Sequence, residues 1–279
     1  DKESPYALDK LYDLMVRLSN IVNSQPEIQE IEINPVIVGL NDVWAVDTKV
    51  VLKEGRQIPA GPNFKTARVL KTEKLTKKMY YFEIESEEPF DVIPGQYISI
   101  KVSDTRINCY SVAGHLPPNK FNLLVDISPG GPGSRFFESL KVGDKVRFLG
   151  PFGHFVLNLE EDVESMLFVG TGCGTAPLKL MIEKALAEEK SYREVKLYLG
   201  INTFDEIFMK DYFDGLSEKY KNFKYEISIK DPDERWKGPT GFVTDLIKKD
   251  YPDASKSSAY LCGNKFMVEA VSKVLMDNG

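Results

Sequence analysis

The stretch "VGTGCGTAP" carries Gly170, Gly172 and Gly174 from an apolar run, "LFVG", straight into a helical pattern, "PLKLMIEKAL". Glycine tolerates positive φ and, having no Cβ, lets a ligand come close to the backbone. The helix start behind it offers unpaired N–H groups and the positive end of a dipole, with Thr171 and Thr175 as further donors. That is anion chemistry, and phosphate is the natural anion for it. A nucleoside-triphosphate loop needs GxxxxGK[ST], but Pro177 and Leu178 stand where the Lys and the hydroxyl residue are required. The strict GxGxxG dinucleotide pattern is also imperfect, because Pro177 takes the third glycine's place. On its own residues the turn fits either a phosphate cradle or a tight strand–helix junction.

The elements that must position this turn divide the 279 residues into three textures. Residues 1–62 begin with "SPYALDKLYDLMVRLSNIVNS", where Leu8, Leu11, Leu14, Met15, Leu18 and Val22 recur at helical spacing after a Ser4–Pro5 start. Two strand-like runs follow, "EIQEIEINPVIVG" and "VWAVDTKVVL", joined by "GLND", and "QIPAGPN" reads as a linker. Residues 63–160 hold short alternating runs broken by Pro, Gly and Asn, which predicts a small antiparallel barrel or sandwich. Residues 161–279 instead alternate strands ("MLFVG", "EVKLYLG", "FKYEISI", "AYLCG") with helical stretches, which predicts parallel βαβ units. Ligands of such sheets sit at the strands' carboxyl ends, here Gly170, Gly200, Lys230 and Gly263.

Composition narrows the classes. The net charge of −6 and the lack of a dense Lys/Arg run argue against a nucleic-acid partner. No run approaches the roughly 20 apolar residues of a membrane span, and no secretory leader is visible, so a cytoplasmic protein without a membrane partner is expected. The three cysteines are too scattered for a disulfide framework or an iron–sulfur cluster, and Cys109 and Cys173 read as buried thiols. Two histidines, His115 and His154, leave no room for a multi-histidine metal site, and none is expected. The chain opens on Asp1 rather than Met and reads as a fragment of a longer polypeptide.

The company of the glycine turn identifies it. "PGQY" (94–97), "NCYS" (108–111), "GPGS" (131–134) and "GPFGHF" (150–155) precede it, and "WKGPTGFVTDL" (236–246) and "LCGNKFM" (261–267) follow it. In this order the chain from Phe64 to Gly279 resembles the ferredoxin–NADP reductase superfamily, nearest to its NADH-dependent flavoprotein reductases. The resemblance implies a multi-domain chain: an antiparallel β-barrel for FAD, then a Rossmann-like parallel α/β sheet for the nicotinamide, after a short N-terminal α+β segment. Tyr110 and Ser111 match the family's RxYS strand, the tyrosine stacking on the isoalloxazine and the hydroxyl reaching toward N5. Asn108 replaces the arginine expected on the flavin pyrophosphate. Arg106, on the same strand face, is the substitute we expect; weaker FAD binding, or FMN, is the alternative. Gly131, Pro132, Gly133 and Ser134 match the pyrophosphate-binding GxxS turn, with Arg135 placed to assist, and His154 reads as a turn residue.

By the same resemblance Gly170, Thr171, Gly172, Cys173, Gly174 and Pro177 receive the dinucleotide's pyrophosphate. Cys262 and Gly263 match the family's Cys-Gly-Pro signature, with Asn264 in the proline's place, and Met267 takes the methionine position on the next helix. Cys262 then packs on the nicotinamide and Ser111 on the flavin, the two residues expected to touch the reacting rings. Asn202, Asp205, Glu206, Asp231, Asp233 and Glu234 favour NADH, while Lys230 and Arg235 keep NADPH open. The implied activity passes electrons from NADH through FAD to a separate acceptor, such as a ferredoxin, an oxygenase or another redox protein.

Residues 1–60 carry a second resemblance, through "EIEINPVIVGLNDVWAVDTKVVL", to the carboxy-terminal end of the ATP-grasp β domain of ADP-forming acyl-CoA synthetases. Asn34 and Asp47 fit that family's magnesium positions, which matter only if a full ATP-grasp domain is present. The alternative function is thus the tail of such a ligase fused to a redox module. The simpler one is a helix and hairpin extending the reductase.

Overall fold

The computed structural model describes residues 7–34, 36–39, 42–45, 48–53, 64–160, 162–187 and 193–279. The first segment forms helix α1 (Leu8–Ser24) and strands β1 (Ile28–Ile33), β2 (Val36–Val38), β3 (Val43–Ala45) and β4 (Thr48–Leu52). Ser4 and Pro5 lie outside the described residues. Each of the two expected strands comes as two pieces. β2 and β3 make the tip of a hairpin, Val36 opposite Ala45, and β1 and β4 make its base, Ile33 opposite Thr48. Lys49 ties that base across the strands, its Nζ 2.9 Å from Glu30 and 2.8 Å from Glu32.

The barrel is built from β5 (Lys65–Lys74), β6 (Met79–Ser86), β7 (Tyr97–Ser103), β8 (Arg106–Leu116), β9 (Lys120–Asp126) and β10 (Lys145–Phe152), with helix α2 (Pro132–Ser139) between the last two. The strands run in the order β8-β7-β10-β5-β6-β9, and β9 returns to β8 to close the ring. Alternation along each strand turns Phe82, Ile84, Ile98, Ile100, Leu123 and Phe148 inward, with Phe137 of α2 packed among them. β9 pairs only the second half of β8, which leaves its first half with an open edge. There β4 adds antiparallel, Val50 opposite Ile107 and Val51 opposite Arg106. The amino-terminal hairpin is therefore stitched into the barrel's own sheet, beside the strand that carries residues 106–111.

The second sheet consists of β11 (Ser165–Thr171), β12 (Glu194–Ile201), β13 (Phe223–Ile229) and β14 (Ser257–Cys262), all parallel in the order β13-β12-β11-β14. Helices α3 (Thr175–Ala187), α4 (Lys210–Lys219), α5 (Val243–Asp250) and α6 (Lys265–Asp277) follow the four strands in turn. The strand ends fall within one residue of those expected. β11 is buried on both faces, as a central parallel strand must be. Helix α3 is apolar nearly all round because two cores claim it: Leu180 enters the barrel cluster, while Leu178, Met181 and Ile182 enter the α/β cluster. Met79, Ala113 and Leu124 of the barrel join that same α/β cluster, so the two halves share a continuous apolar contact. This contact fixes the cleft between them.

Candidate active site

A cleft of about 1030 Å³ opens where the barrel meets the carboxyl ends of the parallel strands. Ser111 lines it from the barrel, and Thr171, Gly172, Cys173, Gly174, Cys262, Gly263, Asn264 and Met267 line it from the sheet. The two residues expected to touch the reacting rings, Ser111 and Cys262, thus share one cavity, brought from strands 151 positions apart in sequence only by the docking of the two halves.

The sheet wall is made of backbone. Gly170 pairs with Cys262 across β11 and β14, and the chain then turns through Gly172 at φ 54° to enter α3. A Cβ on Gly174 would lie 2.2 Å from the Cys262 carbonyl oxygen, and one on Gly263 would lie 2.2 Å from Thr171 Oγ1. Neither space exists, so both positions require glycine. Asn264 shows why it can replace the family's proline. Its side chain accepts from the Phe266 amide (2.9 Å) and caps α6, while its own amide donates to Thr171 Oγ1 (2.8 Å). Pro177 lies buried in the first turn of α3. Beside it, Thr175 Oγ1 is buried and makes no hydrogen bond among the described residues, an orphaned hydroxyl in the first turn of the helix where an anion would sit. These features fit a pyrophosphate at the glycine turn. Burial, chiefly, pushes the Cys262 thiol up to about 12, with the neighbouring Cys173 adding to it. At neutral pH Cys262 rests as a protonated, polarisable thiol rather than a thiolate.

Cys173 departs from expectation. It is exposed on the cleft wall, not buried, because the left-handed turn at Gly172 points the next residue outward. Cys109 is half-buried, its thiol 3.5 Å from both Ser99 Oγ and the Thr48 carbonyl.

Of the residues expected at the flavin, only Ser111 lines the cleft; Arg106, Asn108, Tyr110 and the Gly131–Ser134 turn lie outside its lining and pack beside it. Alternation on β8 places Arg106, Asn108 and Tyr110 on one face. The Asn108 amide donates toward the Tyr110 hydroxyl at 3.4 Å, and the Tyr110 ring meets Phe137 edge-on at 4.6 Å. Gly131 caps α2, Pro132 opens it, and Gly133 and Ser134 are buried in its first turn. A Cβ on Gly133 would lie 2.5 Å from Asn108 Nδ2 and 2.6 Å from the Tyr110 hydroxyl. The Gly133 turn thus sits directly over the two residues that flank the expected flavin strand, a fit for the isoalloxazine and pyrophosphate end of FAD. Arg135 donates to the Gly130 carbonyl at 2.7 Å and so braces its own loop. His154 sits exposed in the turn after β10, outside the cleft lining.

Several cleft residues carried no signal in the sequence. Lys78, in the β5–β6 turn, crosses the cleft to Glu206, Nζ to Oε1 2.7 Å, a partner 128 residues away that no local pattern reveals. Glu206 also accepts from the Asn202 amide at 3.2 Å. Phe242 and Phe266 edge the cleft as exposed aromatics, and "GFVTDL" was the only hint of the first. Arg235 is taken by two carboxylates, 2.9 Å from Asp205 and 2.5 Å from Asp233, with its guanidinium over the Phe204 ring. Lys230 lines the cleft 3.6 Å from Asp231. Asn34 stands exposed after β1, and Asp47, the other candidate magnesium residue, lies outside the described residues. Among the described residues no cluster of three His, Cys, Asp or Glu could hold a metal, and no helix is long and apolar enough to cross a membrane.

Residues 66–157 match the oxidoreductase FAD-binding domain and residues 168–273 the oxidoreductase NAD-binding domain, while residues 1–52 match an ATP-grasp domain. A Na(+)-translocating NADH-quinone reductase component of Shewanella denitrificans is 31% identical over 94% of this chain and 71% of its own length. The Marinomonas counterpart is 32% identical over 80% of this chain, which spans 60% of that protein. The chain covers about half, 48%, of the Pseudomonas aeruginosa counterpart. Among solved structures, the Amycolatopsis cytochrome P450 reductase GcoB superposes with a TM-score of 0.71 at 27% identity, over 90% of this chain and 82% of that one. The cleft thus joins an FAD-binding barrel to an NAD-binding sheet, and the chain belongs to the family of FAD- and NAD-binding oxidoreductases that includes this component of the Na(+)-translocating NADH-quinone reductases.

Proposed function

We propose that this oxidoreductase takes hydride from NADH and hands electrons, through FAD, to a separate redox protein. The observation that carries the reading is the single cleft lined by both Ser111 and Cys262. Bound FAD supplies the redox chemistry, taking up two electrons together and releasing them singly. Tyr110, Asn108 and the Gly131–Ser134 turn would hold it, with Arg106 as the expected pyrophosphate cation. Ser111 would present its hydroxyl at the flavin edge, where a group that both donates and accepts can follow the proton. The glycine turn and the Thr175 hydroxyl would hold the dinucleotide phosphates. Cys262, protonated and polarisable, would press the nicotinamide ring into alignment, which is worth more to hydride transfer than any nucleophilic role.

NADH is favoured over NADPH because both cations open to a 2′-phosphate already face carboxylates: Arg235 faces Asp205 and Asp233, and Lys230, on the cleft wall, faces Asp231. Glu206 and Asn202, bonded to each other and Glu206 also to Lys78, lie on the cleft wall, where the carboxylate would accept from a ribose diol. The acceptor is proposed only as a class, a ferredoxin, an oxygenase component or another redox protein. It is supported by relatives named as parts of NADH-quinone reductases and by a neighbour named as a cytochrome P450 reductase. The ATP-grasp match covers the first 52 residues and carries no ligase function in this reading.

An anaerobic visible spectrum of the FAD-loaded protein tests it. Bleaching by NADH with little response to NADPH supports the proposal; a flavin spectrum indifferent to both contradicts it. In a variant combining Asp205→Asn with Asp233→Asn, the NADPH/NADH ratio of kcat/KM should rise roughly tenfold, since a freed Arg235 can pair with phosphate.

A further inference from the structure

The exposed Cys173 has a use that the hydride reaction does not claim. It follows Gly172 on the wall of the cleft that Cys262 also lines. The two strands leading to these residues are hydrogen-bonded neighbours, Gly170 opposite Cys262. The next residue after Cys173, Gly174, lies so close to the end of β14 that a Cβ there would sit 2.4 Å from the Cys262 carbonyl carbon and 2.6 Å from the Gly263 nitrogen. Both sulfurs are reduced thiols. We propose that Cys173 and Cys262 form an oxidant-sensitive thiol pair that closes to a disulfide across the nicotinamide-facing wall of the cleft.

The chemistry assigns the order of events. Cys173 is the accessible sulfur and reacts first, whereas Cys262 is held protonated by burial. With a hydroperoxide as oxidant, the Cys173 sulfur displaces one peroxide oxygen. The O–O bond breaks, an S–O bond forms, and the departing hydroxide leaves with the thiol proton as water. The Cys262 sulfur then attacks that sulfur. An S–S bond forms, the S–O bond breaks, and the second hydroxide leaves with the Cys262 proton as water. The two thiols lose two electrons and the peroxide gains them. The bond would tie the glycine turn to the end of β14 and withdraw the polarisable sulfur from the ring-facing wall, so NADH could no longer align. Cys109, held between Ser99 and Thr48 and outside the cleft lining, takes no part.

The consequence for activity rests on the NADH reading above; the bond itself does not. The test is to treat the FAD-loaded full chain with hydrogen peroxide and digest it without reductant. Mass spectrometry should find one peptide pair joining Cys173 to Cys262, lighter by two hydrogens than its reduced parts. NADH-dependent flavin reduction should fall roughly a hundredfold, as misalignment of a reacting ring does, and return with dithiothreitol. Cys173→Ser should yield no such pair. Measured against its own untreated rate, it should show no loss that dithiothreitol reverses. Oxygen added to either sulfur without the cross-link overturns the proposal, as does a cross-linked protein that reduces flavin at its untreated rate. A cross-linked protein whose reduced form never reacts with NADH upholds the thiol pair and contradicts the function instead.

Discussion

The glycine turn of the parallel sheet and the α2 turn of the barrel, the two expected phosphate sites, are built from different materials. The sheet wall is backbone against backbone: Gly174 on the Cys262 carbonyl, Gly263 on Thr171. The barrel site, beside the cleft, is side chain against glycine: Asn108 and Tyr110 reach into the space over Gly133. A backbone-made site tolerates almost no change at its glycines, because a main chain in a packed sheet cannot step aside. A side-chain-made site can be rebuilt by rotamers, so it has room to carry Asn108 where the sequence resemblance leads one to expect arginine. Tolerance should therefore differ sharply between the two sites.

Substitutions can break that contrast or sharpen it. The largest effect belongs to Gly174→Ala. It should cost about 1–3 kcal/mol of stability by overpacking and reduce NADH-dependent flavin reduction beyond a hundredfold, read by thermal melting and stopped-flow absorbance. Gly133→Ala should be milder. Its new methyl meets only the movable ends of Asn108 and Tyr110, so FAD affinity should fall roughly tenfold with the melting temperature nearly unchanged. If the two variants proved equally damaging, the contrast between the sites would fail.

Asn264→Ala tests the cap that stands in for proline. Losing the acceptor for the Phe266 amide should cost about 1 kcal/mol, and the turn against Thr171 should loosen enough to raise the KM for NADH before it changes kcat. Smallest of all is the pH response. Because burial carries the Cys262 thiol from its ordinary 9.0 up to about 12, the thiol keeps its proton on both sides of neutrality. The rate of flavin reduction should then show no thiol inflection between about pH 6 and 9, and Cys262→Ser should follow the same profile at a lower rate. An inflection in that range that vanishes in the serine variant would mean that the sulfur reacts as a thiolate.

What the sequence made legible follows the same division. Short-range patterns carried through: period-two alternation marked the barrel strands, apolar runs before helices marked the parallel strands, and the glycine spacing marked the tight strand–helix turn on the cleft wall. What depends on distant residues did not. Nothing local tells that Lys78 reaches Glu206, or that Arg235, beside Asp233, also reaches the distant Asp205. The placement of β4 was equally hidden. Its pairing with β8 arises because β9 leaves the first half of that strand unpaired, a consequence of barrel closure rather than of the hairpin's own residues. Cys173 was misplaced for a local reason. A cysteine among glycines in an apolar setting reads as buried, yet the left-handed Gly172 turns it out to the cleft.

The central claim is that one cleft holds both rings between Ser111 and Cys262. A crystal structure of the FAD-loaded protein soaked with NAD+ addresses it directly. The account predicts the isoalloxazine beside Ser111 and the nicotinamide in contact with Cys262, with the dinucleotide phosphates on the Gly172–Gly174 turn. A nicotinamide bound away from Cys262, or a flavin seated away from Ser111, would contradict it.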